Sequence, residues 1–333
     1  MGIWLGVAIV IFVLTIVFAI IIQLYWSKRL KTVKNKHVVV TGGSSGIGKC
    51  VAITAAKHGA NVTIIARDVQ KLEAAKNEIL HACEDKDAQK VEYVSLDLGA
   101  SYKNVEKAIT DLERTMGPIY MLVNCAGTAV AAKIEDTSAD DLNKMIQINF
   151  LGTYYCIKAV AQRMKASKEG IIVLTSSQAA LLGIFGYSAY CSTKFALRGL
   201  AESIAMELRP YNISVTLSLP PDTDTPGYAI EERSKPLETK LISQTATLAR
   251  PEDVAEKLFR DALAGIFFST IGMEGFILTT LCAGMSPITS ISQLFLEALL
   301  MGFLRIVGAF YLFSFQKIIL CCKKTRDQIK KFE

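Results

Sequence analysis

The chain carries, at residues 37–48, the stretch His37-Val38-Val39-Val40-Thr41-Gly42-Gly43-Ser44-Ser45-Gly46-Ile47-Gly48. A short run of β-branched residues, which favours a strand, leads directly into a turn of small residues. Glycines let the turn tighten and let backbone amides approach a pyrophosphate, and a helix that begins near Gly46 adds its positive end. Placed between a strand and a helix, the turn predicts a dinucleotide site. Its predicted cofactor-binding residues are Gly42, Ser44, Ser45, Gly46, Ile47 and Gly48.

The middle of the chain continues to alternate between short β-branched runs and longer amphipathic runs. The predicted strands are 37–41, 61–66, 91–96, 120–124, 170–176 and 213–219. The predicted helices are 46–58, 69–82, 102–116, 141–165, 188–208 and 251–264. This order predicts an α/β fold, a Rossmann-type doubly wound parallel sheet with helices on both faces. A segment of roughly 30 residues, 220–250, is predicted to be a loop, and a loop of that length is usually functional, for example as a substrate lid.

The end of the second predicted strand indicates which dinucleotide is bound. An acidic residue there would hold the ribose hydroxyls of NAD, but the chain has Arg67 at that step and Lys71 one turn later. A guanidinium suits a 2′-phosphate, which it can bind through two hydrogen bonds. A charge-assisted bond of this kind contributes about 1.5–3 kcal/mol, which is enough to set a preference. The predicted cofactor is therefore NADPH, and Asp68 is predicted to cap the next helix.

Two further strand ends complete the predicted cofactor site. Asp97 follows the third predicted strand and is expected to touch the adenine. The fourth predicted strand ends in Asn124-Cys125-Ala126-Gly127, where small side chains leave room for the cofactor. Because the carboxyl ends of parallel strands meet at one edge of a sheet, Asp97, Asn124 and Gly127 are predicted to bind the cofactor.

Three residues form the predicted catalytic set. Tyr190 and Lys194 are four residues apart, so a helix places both on one face. A phenol is a poor acid or base at its ordinary pKa of about 10, and a nearby ammonium is expected to lower that pKa. Ser177 ends a predicted strand and is expected to hydrogen-bond a carbonyl oxygen. A Tyr-x-x-x-Lys pair alone would indicate no more than a helix surface, but here it follows the glycine turn, Arg67 and Ser177 in order.

Together these residues resemble the short-chain dehydrogenase/reductase family over about 37–264. The resemblance rests on the Thr-Gly-x-x-x-Gly-x-Gly turn, the Asn-x-Ala-Gly sequence and the Tyr-x-x-x-Lys pair. It implies that Tyr190 is the general acid, that Lys194 binds the ribose and sets the pKa of the acid, and that Ser177 orients the carbonyl.

The same resemblance adds two residues to the predicted site. Asn149, within Gln147-Ile148-Asn149, matches the fourth catalytic member, which supports a proton-relay water. Thr223, after the sixth predicted strand, is predicted to bind the cofactor. The family usually has Pro-Gly after that strand, whereas this chain has Pro220-Pro221, which implies a stiffer backbone at the nicotinamide pocket.

Four stretches resemble a narrower group of this family, the 3-ketodihydrosphingosine reductases. These stretches are 195–202, 220–227, 235–243 and 284–291. The resemblance implies NADPH-dependent reduction of 3-oxosphinganine to sphinganine in sphingolipid biosynthesis, on the cytosolic face of the endoplasmic reticulum. The implied partners are this membrane lipid substrate and the bilayer that contains it.

Two alternatives share most of these features. The first is a reductase of another membrane lipid ketone, such as a steroid, a retinoid or a 3-oxoacyl-CoA, which would use the same catalytic residues and differ in 220–310. The second is a non-catalytic membrane scaffold that senses dinucleotides, against which the intact Ser177, Tyr190 and Lys194 argue. The sequence is compatible with a homo-oligomer and does not indicate an oligomeric state.

The N-terminal segment 1–27 is predicted to be an uncleaved membrane anchor. The run 3–24 is apolar except for Thr15 and Gln23, and as a helix it would reach roughly 33 Å, enough to cross a bilayer. A cleaved signal peptide is the alternative, but its apolar region is normally shorter and is followed by a small-x-small site. A basic linker follows at 28–36, so the next domain, 37–270, is predicted to be cytosolic.

The C-terminal part is predicted to associate with the membrane. Segment 271–322 is apolar but interrupted by Pro287, Glu297, Arg305 and Lys317, so the sequence does not decide between a hairpin that crosses the membrane and helices that lie on its surface. The tail 323–333 is basic and ends in Lys330-Lys331-Phe332-Glu333, which resembles a dilysine retrieval signal of the endoplasmic reticulum; the alternative is an ordinary solvated tail.

Charge and cysteine content exclude other classes of function. The net charge is +6, of which 28–36 contributes +5 and 317–333 contributes +4, so the remaining chain carries −3. Basic residues that flank apolar segments favour a membrane surface, and no nucleic-acid partner is predicted. The eight cysteines and three histidines show no metal-binding spacing, so no metal site is predicted, and free thiols fit a reducing compartment.

Overall fold

The computed structural model describes residues 30–329 together with Gly6, Val10 and Val17. The predicted N-terminal anchor, apart from those three positions, and the dilysine-like end lie outside the described residues.

Seven parallel strands form one sheet in the order β3-β2-β1-β4-β5-β6-β7. The chain moves outward from β1 to β3, returns to pair β4 with β1, and then builds the other half, so the order reverses between β1 and β4. The strands are β1 His37–Thr41, β2 Asn61–Ala66, β3 Val91–Ser95, β4 Ile119–Asn124, β5 Gly170–Thr175, β6 Ile213–Ser218 and β7 Phe268–Ser269.

Helices cover both faces of the sheet, and each face has its own apolar core. The core on one face takes side chains from the helices at 102–116, 153–167 and 188–208, and the core on the other takes them from the helices at 46–57, 69–81 and 251–264. Successive β1 residues alternate between the two, because Val39 faces the first and Val38 and Val40 face the second. The predicted doubly wound fold is confirmed. The helices are α1 Gly46–Lys57, α2 Val69–His81, α3 Tyr102–Met116, α4 Ala139–Met145, α5 Thr153–Ser167, α6 Ser188–Leu208, α7 Pro226–Ser234, α8 Leu237–Ser243, α9 Pro251–Ala264, α10 Gly272–Leu281 and α11 Ile291–Ile329.

The structure differs from the predicted elements in three places. The predicted helix 141–165 contains a π-helical segment, Ile146–Gly152, between α4 and α5. Strand β7 was not predicted. It is only two residues long and is defined by its pairing with β6. The prediction of a loop over 220–250 is wrong, because α7 and α8 lie within it; Thr225 caps α7 by accepting a hydrogen bond from the Tyr228 amide at 3.1 Å.

Helix α11 is the one helix among the described residues that is long and apolar enough to cross a membrane. It spans 39 residues and continues past the predicted start of the basic tail at 323. Helix α11 nevertheless packs against the sheet domain. Leu304 and Cys322 are buried, and near its end Arg326 forms an ion pair with Glu238 of α8, which is only 1% exposed.

The segment between α10 and α11 is also held to the domain. Arg198 of α6 donates to the carbonyl oxygen of Cys282 at 2.8 Å and to Ser286 Oγ at 3.0 Å. Ser286 Oγ in turn donates to Glu202 at 2.6 Å. Helix α6 also carries Tyr190, so these hydrogen bonds connect the apolar C-terminal part to the predicted catalytic helix.

Arg326→Ala is expected to lower the midpoint of thermal unfolding. The buried Glu238 carboxylate would lose its partner, which costs about 1–3 kcal/mol; since the Arg326 side chain is 45% exposed, we expect a loss near the lower end. Lys324→Ala, at an exposed position of the same helix, is the control. The double variant Arg326→Ala, Glu238→Gln should recover part of the loss. If Arg326→Ala behaves like Lys324→Ala, the ion pair does not fasten α11.

Candidate active site

The glycine turn after β1 forms a cradle that a side chain would fill. Gly42 has φ +67°, and a Cβ there would lie 2.7 Å from the Ala126 amide nitrogen. A Cβ on Gly48 would overlap the carbonyl oxygen of Gly42. Helix α1 begins at Gly46, and Ser45 precedes it without using its side chain as a cap. The open backbone amides and the helix start fit a pyrophosphate, as the sequence predicted for this turn.

The turn is held against the end of β4, where the second part of the predicted cofactor site lies. The Cys125 amide donates to the Thr41 carbonyl oxygen at 3.1 Å, and the Ala126 amide donates to Thr41 Oγ1 at 3.2 Å. Asn124 donates through Nδ2 to the Val173 carbonyl oxygen at 3.1 Å, while its buried Oδ1 has no partner among the described residues. This edge is where the strand order reverses, and ligands of open α/β sheets bind at such a point.

The residues predicted to read the adenosine half lie further along the same edge. Arg67 follows β2 and is exposed, and its carbonyl oxygen accepts a hydrogen bond from Ser95 Oγ at 2.9 Å. Asp68 caps α2 by accepting a hydrogen bond from the Lys71 amide at 3.1 Å, as predicted. Lys71 Nζ lies 3.6 Å from Asp68, and Asp97 accepts from the Gly99 amide at 3.1 Å. Among the described residues at this end, Lys71 forms an ion pair with Asp68, whereas no ion pair is found for the Arg67 guanidinium.

Tyr190, Lys194 and Ser177 meet at the opposite end of the edge. Tyr190 and Lys194 lie one turn apart on α6, and Lys194 Nζ is 5.5 Å from the centre of the Tyr190 ring. Lys194 donates to the Thr175 carbonyl oxygen at 3.2 Å, at the end of β5. Ser177 follows the same strand and hydrogen-bonds Tyr190. The three predicted catalytic side chains are thus brought together by one strand end and one helix.

The pKa of Tyr190 moves in the direction opposite to the expected one. Burial raises it, the negative charge of Glu231 raises it further, and the hydrogen bond with Ser177 lowers it. Burial also lowers the pKa of Lys194 to about 8, whereas the charges of Cys125 and Glu231 raise it. The expected lowering of the Tyr190 pKa by the ammonium does not offset burial. A raised pKa keeps the phenol protonated at neutral pH but makes it a weaker acid, so proton donation by Tyr190 depends on its position in the site and not on this shift.

Asn149 lies behind this group in the π-helical segment. It is fully buried, accepts from the Thr128 amide at 2.8 Å, and donates to the Thr128 carbonyl oxygen at 2.9 Å and to Thr193 Oγ1 at 3.0 Å. A Cβ on Gly127 would lie 3.4 Å from Asn149 Oδ1 and 3.7 Å from Lys194 Nζ. Single π-helical turns inside helices are frequent at functional sites. Here the turn brings Asn149 next to Gly127 and Lys194.

One cavity of about 670 Å³ connects these side chains with the C-terminal helices. At one end it is lined by Ile47, Gly127 and Thr223 of the predicted cofactor site, with Ser177, Tyr190 and Lys194 beside them. At the other end its walls come from α10 and α11. The lining residues of those helices include Leu278, Leu281, Arg305, Tyr311, Leu312 and Phe315. The candidate active site therefore opens into an apolar channel.

The profile of the short chain dehydrogenase family matches residues 36–235. This chain belongs to the short-chain dehydrogenase family. It is 49% identical over 295 residues to a 3-dehydrosphinganine reductase of Danio rerio, and 47% identical over 295 residues to a 3-ketodihydrosphingosine reductase of Bos taurus. Each alignment covers 88% of this chain and 88% of the relative. The resemblance stated from the sequence is confirmed.

Among solved structures, the fold is similar to a short-chain dehydrogenase from Sphingobium yanoikuyae in complex with NADPH. That structure has a TM-score of 0.62 and 24% sequence identity, and the alignment covers 71% of this chain and 87% of the other. This structural similarity supports the short-chain dehydrogenase fold of the chain. As a member of the family, the chain is an oxidoreductase that uses a nicotinamide dinucleotide.

This short-chain dehydrogenase has a polar cluster beside Tyr190 that sequence reasoning missed. Tyr187 packs on Tyr190 with ring centres 5.4 Å apart, and its hydroxyl donates to Glu231 of α7. Lys235 Nζ lies 3.3 Å from Glu231 and 3.4 Å from Asp222. Burial would lower the pKa of Lys235, but the carboxylates, Glu232 first, raise it. The sequence predicted only that segment 220–250 is functional. Tyr187 and Glu231 are 44 residues apart, and no sequence pattern predicts their contact.

Proposed function

We propose that this chain reduces 3-oxosphinganine to sphinganine with NADPH, as a step of sphingolipid biosynthesis. The relatives that are 47–49% identical bear the names of that activity. The observation that carries the proposal is the continuous cavity from Tyr190 to α11. A substrate with a polar, reactive head and a long alkyl chain fits a polar end beside Tyr190 and an apolar end between α10 and α11.

The catalytic roles follow from the geometry of the three side chains. Tyr190 donates the proton to the ketone oxygen, because it is protonated at neutral pH and lies beside Ser177 and Lys194 in the cavity. Ser177, which hydrogen-bonds Tyr190, is placed to hold the same oxygen as negative charge develops. Lys194 would bind the ribose of the cofactor, and Asn149, fixed by Thr128 and Thr193, would support the water that returns a proton.

When bound, NADPH would supply the hydride that C3 of the substrate accepts. The residues that would hold it are those of the cradle at 42–48, the β4 end at 124–127, and Thr223. Arg67 is exposed at the end of β2, where a 2′-phosphate would need a cation. Lys71 lies near Asp68, so Arg67 is the stronger candidate for this role.

The proposed function is tested by NADPH oxidation with 3-oxosphinganine against a panel of lipid ketones. Tyr190→Phe is expected to lower kcat by about 10²–10⁴-fold and to keep NADPH binding, since only the transferable proton is lost. Lys194→Met should lose both turnover and NADPH binding, because the ammonium also holds the ribose. Tyr154→Phe, at an exposed position, is the control. A near-normal kcat for Tyr190→Phe would show that Tyr190 is not the acid.

Arg67→Asp is expected to shift the preference from NADPH toward NADH. The loss of one charge-assisted bond should change the ratio of kcat/KM for the two cofactors by about 10- to 100-fold. Arg114→Asp makes the same charge change at a side chain that is 78% exposed on α3, and should leave the ratio unchanged. An unchanged ratio for Arg67→Asp would mean that another residue binds the 2′-phosphate.

The rival enzyme function, reduction of another membrane lipid ketone, uses the same catalytic side chains. Any substrate of that class would enter the same cavity, so the panel of ketones separates the two. A non-catalytic scaffold is disfavoured by the assembled Ser177, Tyr190 and Lys194, and turnover of any ketone with NADPH would exclude it.

We further propose that the chain is held at the endoplasmic reticulum membrane with its catalytic domain in the cytosol and α11 lying in the membrane surface. Between Leu304, which is buried, and Arg326, which pairs with Glu238, α11 follows the domain over roughly 30 Å. A helix fastened at both points is not free to cross the bilayer. Its outward face is a stripe of exposed apolar residues at helical spacing, Leu299, Phe303, Ile306, Phe310, Phe313 and Leu320.

A glycosylation acceptor placed near Gln293 is expected to remain unglycosylated, because a surface helix keeps that position out of the lumen. An acceptor after Glu333 should also remain unglycosylated, since the proposed dilysine signal needs a cytosolic end. An acceptor before Met1 is the positive control, because the basic run 28–36 places that end in the lumen. Efficient glycosylation near Gln293 would establish two crossings instead.

A further inference from the structure

Three carboxylates among the described residues line the catalytic cavity, and the proposed reduction uses none of them. Glu274 belongs to α10, whereas Glu231 and Asp222 lie close enough to Tyr190 to raise its pKa. Glu231 accepts a hydrogen bond from Tyr187, whose ring packs on that of Tyr190. One aromatic side chain therefore links the carboxylate to the candidate acid. A buried carboxylate next to a reaction centre is costly unless something of opposite charge binds there.

Within ion-pair distance, the described residues of this cluster hold more negative than positive charge. Lys235 Nζ lies 3.4 Å from Asp222, 3.3 Å from Glu231 and 2.5 Å from Glu232, so three carboxylates share one ammonium. The Lys235 side chain is fully buried and does not line the cavity, so it holds the carboxylates from behind. The hydrogen bond from Tyr187 and the 3.3 Å approach of Lys235 both involve Glu231 Oε1, and no hydrogen bond to Oε2 is found among the described residues.

A second observation also indicates a polar ligand group at this end of the cavity. Gln178 lines the cavity directly after Ser177, and its buried Nε2 has no hydrogen-bond partner among the described residues. A buried donor without a partner costs free energy, so a ligand acceptor there would be favourable. The end of the cavity beside Tyr190 therefore offers a carboxylate pair for a cation and an amide for a hydroxyl.

We propose that Glu231, with Asp222 beside it, binds a protonated primary amine on the carbon next to the reacting carbonyl. This rests on the proposed function, because 3-oxosphinganine carries an ammonium at C2, a ketone at C3 and a hydroxyl at C1. C2, which carries the ammonium, is bonded directly to the ketone carbon C3. When Tyr190 and Ser177 hold the ketone oxygen, the ammonium therefore lies close to these two side chains. Glu231 is the carboxylate linked to Tyr190 there.

The consequence is selection of aminoketones over neutral ketones. Glu231 would remain without its cation when a neutral ketone binds, and a site built around a buried polar group rejects an analogue that lacks the partner. Lys235 stays in place in either case, because it binds Oε1 and the other two carboxylates. The carboxylate therefore acts as a specificity-determining residue and transfers no proton.

The experiment compares two substrates and two variants of the full-length protein. The substrates are 3-oxosphinganine and its analogue with hydrogen in place of the C2 ammonium. The variants are Glu231→Gln and, as the matched control, Glu232→Gln, which removes the same charge from Lys235 but lies outside the cavity lining. NADPH binding by fluorescence verifies that each variant is folded.

We expect Glu231→Gln to raise KM for 3-oxosphinganine by about 10- to 100-fold, the effect of one charge-assisted bond, and to leave KM for the neutral analogue unchanged or lower. Glu232→Gln should preserve the wild-type ratio of kcat/KM for the two substrates. An equal loss for both substrates would overturn the proposal and make Glu231 a positioning residue for Tyr187 and Tyr190. An unchanged ratio in Glu231→Gln would overturn it as well. Wild-type protein that reduces only other ketones would instead refute the proposed function.

Discussion

The hydrogen bonds between β1 and β4 are the constraint on which the site depends. Through the carbonyl and hydroxyl oxygens of Thr41 they fix the chain at 125–126 against the glycine turn. The strand order reverses at this pair, so a crevice opens above it. The cradle for the dinucleotide lies on one side of the crevice and the strand end that carries Ser177 lies on the other. Their separation is set by a rigid ladder and does not depend on a loop.

Most of this arrangement could be predicted from the sequence, because local pattern determines it. Strands β1 and β2 and helices α3, α6 and α9 have the predicted bounds. The other elements that were predicted differ by a residue or two at their ends, apart from the predicted helix 141–165. Glycine, proline and capping residues such as Asp68 mark these ends in the sequence itself. The pairing of Tyr190 with Lys194 follows from helical spacing alone. Strand β7 was missed because two residues carry no periodicity.

The remaining features depend on packing between segments that are distant in the sequence. The ion pair of Glu238 with Arg326 joins residues 88 positions apart, and the contact of Tyr187 with Glu231 joins residues 44 positions apart. The pKa of Tyr190 was misjudged for the same reason. Lys194 is visible in the sequence four residues away, whereas burial and the charge of Glu231 exist only once α7 covers the cavity. Arg305 is a charged residue within an apolar run. Its position in the cavity wall likewise depends on packing between distant segments.

Helix α11 has one face on the cavity and the other on the proposed lipid surface. An alkyl chain that enters between α10 and α11 therefore exchanges one apolar environment for another. It avoids hydration, which would cost about 0.8 kcal/mol for each methylene. With α11 in the membrane surface as proposed, encounter would take place in two dimensions, and the rate would follow the mole fraction of ketone in the bilayer instead of its bulk concentration. Diluting the membrane with inert lipid would slow the enzyme even at constant total substrate, which is the behaviour of an interfacial catalyst.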